Sequence, residues 1–378
     1  MRKRNRIDRR SAIIERLFSG HGEEGGAWFV KLPNTTAGRA PAAGSPTHAT
    51  NIHVGNQFAL GDYTMGNESW ELRKIDHPID SGPDDGWSAA SYAGDRLMNM
   101  GWAPRGRTPG GTGRAGNQND QLTIMREVRW EPALQTLVAN PIAELEALRN
   151  GTVAHLTGVQ LTAGAPFHLP GTAGGAAASA DINVSFTLPA SGAVEMVGVT
   201  VLSGAAPWGR GSPDDAGVDV VANVSAPDST GRRHGNMTTA RRHGACEYKN
   251  CCPHGNDNNC TERTFDNCNG ALGPCDGAGA PDKTPCRHGH PGGNCGAASF
   301  VVLPGETELN FRILVDRAIV EAFVQGGRAV TTMTFRPLDQ GVPGTQVNLV
   351  SQTPITAKVA SVWSMGCGWA GDWPGRHS

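Results

Sequence analysis

A chain of 378 residues is long enough to hold two domains with cores of their own. Hydrophobic residues make up 38% and charged residues only 18%, while 51 glycines and 25 prolines punctuate the chain, a balance that argues for short strands and turns over helices. The net charge of −2 gives no global attraction to nucleic acid or anionic membrane, and no apolar run approaches the roughly 20 residues that span a bilayer. The expectation is a soluble all-β protein with no nucleic-acid and no membrane partner.

The chain opens on Met-Arg-Lys-Arg-Asn-Arg-Ile-Asp-Arg-Arg, strongly basic, followed by Ser11–Phe18, too short and too charged for the apolar core of a signal peptide. Residues 1–50 carry little pattern and end in an Ala/Gly/Pro/Thr-rich stretch, so they read as a disordered or irregular leader, with a basic arm for nucleic acid as the lesser alternative. From 51 to 138, β-branched and aromatic runs alternate with turn clusters, and Asn56–Tyr63, Trp87–Tyr92, Arg96–Trp102 and Gln121–Trp130 are the expected strands. Between them, Gly111-x-Gly113-x-x-Gly116 matches a dinucleotide fingerprint by its letters. Pro109 precedes it and no helical pattern follows, so it reads as a loop and no cofactor is expected.

A short helix is expected over 139–150. Asn140 is a good N-cap, Pro141 suits the first helical position, Ile142, Leu145 and Leu148 recur at helical spacing, and Asn150-Gly151 ends it. Strands then resume at Ala154–Leu161, Asp181–Leu188, Glu195–Leu202 and Gly217–Ser225, and again from Ala298 to Val362, which predicts an antiparallel sandwich over 151–365 and a tail over 366–378.

The sandwich is interrupted by a Cys-rich insert at about 226–297. Eight of the nine cysteines lie there: Cys246, Cys251, Cys252, Cys260, Cys268, Cys275, Cys286 and Cys295. Gly, Pro, Asn and Asp surround them, so the segment cannot fold on apolar burial and needs staples. An even count in a short window favours disulfides. Zinc is the alternative, with His243, His254, His288 and His290 nearby, but there is no Cys-x-x-Cys pair, so no metal site is expected. The cysteines, together with Asn-x-Ser/Thr sequons at Asn34, Asn67, Asn150, Asn183, Asn223, Asn236 and Asn259, point to a secreted or luminal (extracellular or vacuolar) protein.

The stretch Phe311–Phe335 reads as a three-strand meander: Phe311–Val315, then Ile319–Val324, then Gly326-Gly327 supplying the positive φ angles of a tight turn, then Arg328–Phe335. It resembles the signature hairpin in the C-terminal β-sandwich of glycoside hydrolase family 32, the invertases and fructanases, written there Leu-Arg-Ile-Phe-Val-Asp-Arg-Ser-x-Val-Glu-Val-Phe before a glycine turn. Asp85-Gly86-Trp87 through Tyr92 and Arg96 through Gly101-Trp102 are similar to the last blade of that family's propeller. Met125-Arg126-Glu127-Val128 and Asn140–Arg149 are similar to its Pro-Arg-Glu-Leu strand and linker helix, and Lys358–Met365 to its closing strand.

The resemblance implies a partial five-bladed β-propeller of one to two blades at 51–138, followed by the sandwich. It also implies an activity on β-fructosidic bonds of sucrose or fructans, with retention of configuration by an Asp nucleophile and a Glu acid/base about 5 Å apart. The family's motifs for these groups, Asn-Asp-Pro, Arg-Asp-Pro and Glu-Cys-Pro, do not occur in this sequence. Gly25–Pro33 stands about where the last belongs, with Glu23 and Glu24 beside it. No catalytic residue is therefore assigned, and the chain is read as truncated and inactive by itself. By family position Asp85, Trp87 and Ser88 are the candidate substrate-binding residues, whereas Asp316 and Glu321 read as sheet and turn charges. The alternative is a non-catalytic carbohydrate-binding or scaffold protein built on the sandwich.

Overall fold

The computed structural model describes residues 13–16, 28–32, 57–64, 69–78, 80, 88–93, 95–103, 121–203, 217–241, 295–316, 319–334 and 346–366. The chain divides into two units. Met1–Asn140, Tyr248–Ser299 and Gly326–Thr334 form the first, and Pro141–Glu247, Phe300–Gln325 and Phe335–Ser378 the second.

In the first unit β1 (Ile13–Arg16), β2 (Trp28–Leu32), β3 (Gln57–Thr64) and β4 (Ser69–Pro78) form one antiparallel sheet in chain order. A second sheet begins with β5 (Ser88–Ala93) and β6 (Arg96–Ala103), has short β7 (Gln121–Leu122) paired to β6 at its side, and continues through β8 (Arg126–Glu131) and β9 (Thr136–Pro141).

The second unit starts with a 3-10 helix, Ala143–Leu148, and runs through β10 (Arg149–Leu161), β11 (Phe167–His168), β12 (Ser179–Thr187), β13 (Val194–Ser203), β14 (Val218–Val224), β15 (Arg233–Arg241), the last three residues of β16 (Cys295–Val302), β17 (Glu308–Asp316) and β18 (Ile319–Val324). After β19 (Ala329–Thr334), which belongs to the first unit, it closes with β20 (Gln346–Ser351) and β21 (Ile355–Met365). One of its sheets has the order β10-β21-β12-β17-β18, and the other β11-β20-β13-β14-β15-β16.

Period-two alternation explains how these strands build a sandwich. On β12, Ile182, Val184 and Phe186 lie opposite Ile313, Phe311 and Leu309 of β17, and all six are buried. Phe186 and Phe311 meet edge to face, centroids 5.7 Å apart at 89°, the arrangement that ring quadrupoles favour. The intervening residues Asp181, Asn183 and Ser185 share the other face with Arg312 and Ser361. In the second sheet Val197, Val199 and Val201 of β13 lie opposite Ala222, Val220 and Val218 of β14, all shut off from solvent. The backbones approach so closely here that a side chain on Gly198 would begin 2.1 Å from the Val220 carbonyl oxygen.

The all-β expectation holds, and the signature meander lies where the sequence placed it, with Gly326 at φ 64° and Gly327 at φ 77°. Several expectations need correction. The helix is a single 3-10 stretch capped at Ile142 without a side-chain bond, because Asn140 and Pro141 still belong to β9. The Asn140 amide donates instead to the Gly326 carbonyl oxygen at 2.7 Å, so the side chain read as a helix cap is committed to the glycine turn. The leader is not irregular throughout, since β1 and β2 pair within it; an isolated five-residue run such as Trp28–Leu32 is too short to announce itself. Gln121–Trp130 breaks into β7 and β8, with Thr123 bonded to Gly101 in between. β15 and the start of β16 fall inside the span expected for the Cys-rich insert, because Met237 and Thr239 are buried against β14 in a segment whose letters look polar. The remainder of the insert lies outside the described residues, as does the loop at Pro104–Asn119.

Candidate functional site

Two guanidinium–carboxylate clusters dominate the polar interior. In the first unit Asp80, Arg126 and Thr332 are fully buried together. Arg126 Nη1 lies 2.7 Å from Asp80 Oδ2, Arg126 Nη2 donates to Thr332 Oγ1 at 2.7 Å, and the Thr332 amide donates to Asp80 Oδ1 at 2.9 Å. The Thr332 hydroxyl also donates to Asp80 Oδ2. Asp80 thus ties β8 and β19 to the chain that leads, in sequence, into Asp85–Ser88. Two charges this deep are tolerable only because each meets the other and the remaining lone pairs are bonded.

In the second unit Asp181, with no solvent exposure, takes two arginines. Arg312 forks onto it, Nε to Oδ1 at 3.1 Å and Nη2 to Oδ2 at 2.8 Å. Arg149 gives Nε and Nη2 to Oδ2 at 2.9 and 2.8 Å. Strand register sets this up: Asp181 is the direct cross-strand partner of Trp363, and Arg149, the first residue of β10, lays its guanidinium 3.9 Å from the Trp363 ring centroid. Glu146 of the 3-10 helix completes the group, 3.3 Å from Arg149 and 3.7 Å from Arg312.

Neither aspartate suits nucleophilic attack, since every oxygen is already occupied by a guanidinium or a hydrogen-bond donor. The more accessible carboxylates are shifted the wrong way for a general acid, which needs a raised value. A hydrogen bond from Arg129, opposed by desolvation and helped by Arg96, holds Glu127 below the ordinary carboxylate value. Lys358 and then Ser185 do the same for Glu308. Glu127 takes Arg129 Nε at 2.7 Å and Arg96 Nε at 3.0 Å, a surface ion cluster between β6 and β8.

Of the residues expected to contact substrate, Ser88 is the first residue of β5 and pairs across to Gly101 of β6. Asp85 and Trp87 lie outside the described residues, as do Cys246, Cys251, Cys252, Cys260, Cys268, Cys275 and Cys286; Cys295 opens β16. Asp316 is exposed and accepts from the Ser179 hydroxyl at 3.0 Å. Glu321, read as a sheet charge, lies in β18 opposite Leu314 and is buried there. No His/Cys/Asp/Glu group suited to a metal occurs among the described residues. Sequence reasoning missed both aspartate clusters, because Asp80 and Asp181 meet partners far away in the chain.

Two antiparallel sheets, a buried Arg–Asp–Arg group on the polar face of one and the glycine turn after β18 characterise an all-β, sandwich-like arrangement. Residues 273–364 match the family model described as Glycosyl hydrolases family 32 C terminal. Over this region the chain is similar to the C-terminal domain of glycoside hydrolase family 32. A 6(G)-fructosyltransferase of Asparagus officinalis is 43% identical over 70 residues, 18% of this chain and 11% of that protein. Among solved structures, fructan 1-exohydrolase IIa of Cichorium intybus is similar at a TM-score of 0.60 and 16% identity, covering 90% of this chain and 57% of its own. Another structure of that enzyme is a complex with 1-kestose. Exo-inulinase of Aspergillus awamori is similar at 0.56 and 13% identity, over 95% of this chain and 57% of that one. The chain thus spans little more than half the length of these enzymes and a ninth of the transferase.

Proposed function

We propose that this chain is a family 32-type protein for β-fructosides, binding sucrose or a fructan through Asp85, Trp87 and Ser88 and leaving the bond intact unless a nucleophile is supplied. The observation that carries the reading is the family match over 273–364, which includes β17, the glycine turn and β19. The partial propeller is supported by the two sheets of the first unit, whose main strands pair antiparallel in chain order as those of a blade do. That the similar structures are a fructan exohydrolase and an exo-inulinase, one solved with 1-kestose, supports the substrate class.

Absence of the three catalytic motifs from the sequence argues that the covalent route is missing from these residues. A non-catalytic carbohydrate-binding or scaffold role is the second reading, favoured by the saturation of Asp80 and Asp181 with arginine. Calorimetric titration of the full chain with 1-kestose tests the binding claim. Heat of binding that is lost in Trp87→Ala is expected, and no binding by the parent chain would refute it. For the cysteines we hold to disulfides in an extracellular or vacuolar protein. Titration of the native protein should find few free thiols, and eight or more reactive ones would overturn that assignment.

A further inference from the structure

Four of the seven sequons fall on described residues, and the fold treats them very differently. Attachment of an N-linked glycan requires the asparagine amide and the hydroxyl two residues on to stand clear of the folded surface, because the glycan is bulky and hydrophilic. Asn183 fails this test. It sits mid-strand in β12, hydrogen-bonded on both sides by β17 and β21, and its Oδ1 is buried with no hydrogen-bond partner. Asn223 and Asn236 are direct cross-strand partners on β14 and β15, so two glycans would compete for one place. Thr238, the acceptor of the second, is buried.

Asn150-Gly151-Thr152 is the opposite case: all three residues are exposed. They begin β10, at the end of the strand order of their sheet, where the pairing with β21 is interrupted by register shifts at Arg149/Gly151 and Thr152/Ala154. The Arg149 side chain is turned into the Asp181 cluster, leaving its exposed neighbour Asn150 outside it. Gly366 lies beside it with no side chain of its own; a Cβ built there would come within 3.6 Å of the Asn150 Cβ.

We propose that Asn150 is a site of N-linked glycosylation and that Asn183 is not. The glycan would stand over the outer strand of the sheet, a strand with no proline or lysine of its own to discourage edge pairing with another chain. This inference is independent of whether the protein binds or cleaves a fructoside. The test is to secrete the full chain from a eukaryotic cell and treat it with peptide N-glycosidase F in heavy-oxygen water, mapping asparagines converted to labelled aspartate by peptide mass spectrometry. Labelled conversion at position 150 and an unlabelled Asn183 peptide are expected. Thr152→Ala, which keeps Asn150 and removes only the acceptor hydroxyl, should abolish the label at 150 and raise electrophoretic mobility by one glycan step. Recovery of position 150 as unmodified asparagine, or label at Asn183, would overturn the proposal.

Discussion

Among the described residues, Asp80 and Asp181 are each answered by arginine where they stand, and the two answers differ in how much water they exclude. Asp80 and Arg126 have fully buried side chains, whereas Arg149 and Arg312 keep 18% and 19% of theirs exposed beside the buried Asp181. Removing one partner of a fully buried pair leaves an uncompensated charge and costs about 3–5 kcal/mol. Arg126→Ala should therefore unfold at markedly lower denaturant than Arg149→Ala, whose lost contact is screened by solvent and partly replaced by Arg312. Equal midpoints for the two variants would contradict this ranking. Two carboxylates with lowered values give a pH signature. Glu127 and Glu308 are held below the ordinary value of 4.5, so each adds stability above that value that is lost as pH falls through its lowered native one. Glu308→Gln should flatten the acid side of the melting temperature profile, with both ion pairs contributing modestly. An unchanged acid limb would show that the Lys358 contact does not persist in solution.

Elements declare themselves in this sequence to the degree that their reasons are local. The turn after β18 was legible because two successive glycines between β-branched runs have few other uses, and both adopt positive φ. Its surroundings were not: a Cβ on Gly327 would lie 2.1 Å from the Ala139 carbonyl oxygen, while one on Gly326 would meet nothing within 4 Å. Gly326→Ala should cost about 1–2 kcal/mol for its backbone alone, and Gly327→Ala considerably more, since backbone must move as well. Thermal denaturation showing the reverse order would mean that β9 does not press on the turn. Strands with apolar alternation, such as β12 and β17, were placed to within three residues at either end for the same local reason. The helix failed because Asn140 and Pro141 carry a capping pattern by letters, while the Asn140 amide spends its donor on Gly326. β15 stayed hidden because threonines 238 and 239 are buried by partners on β14 that only the fold supplies. Asp181 showed no signal for a like reason, since β10 and β17 bring its arginines from far along the chain.

For the whole molecule, the family match over 273–364 falls on β16 to β21, and the family's three catalytic motifs do not occur in the sequence. Asp80 and Asp181 are bonded to arginine, and Glu127 and Glu308 are held below the ordinary carboxylate value, the opposite of what a general acid needs. Binding and cleavage are therefore expected to separate in this protein. The measurement that tests this most directly is fructose release from sucrose and 1-kestose by the purified full chain. The account predicts none, even at ligand concentrations that saturate binding. Release of fructose that disappears in Glu24→Gln would contradict it, because a carboxylate of this chain would then be doing the chemistry.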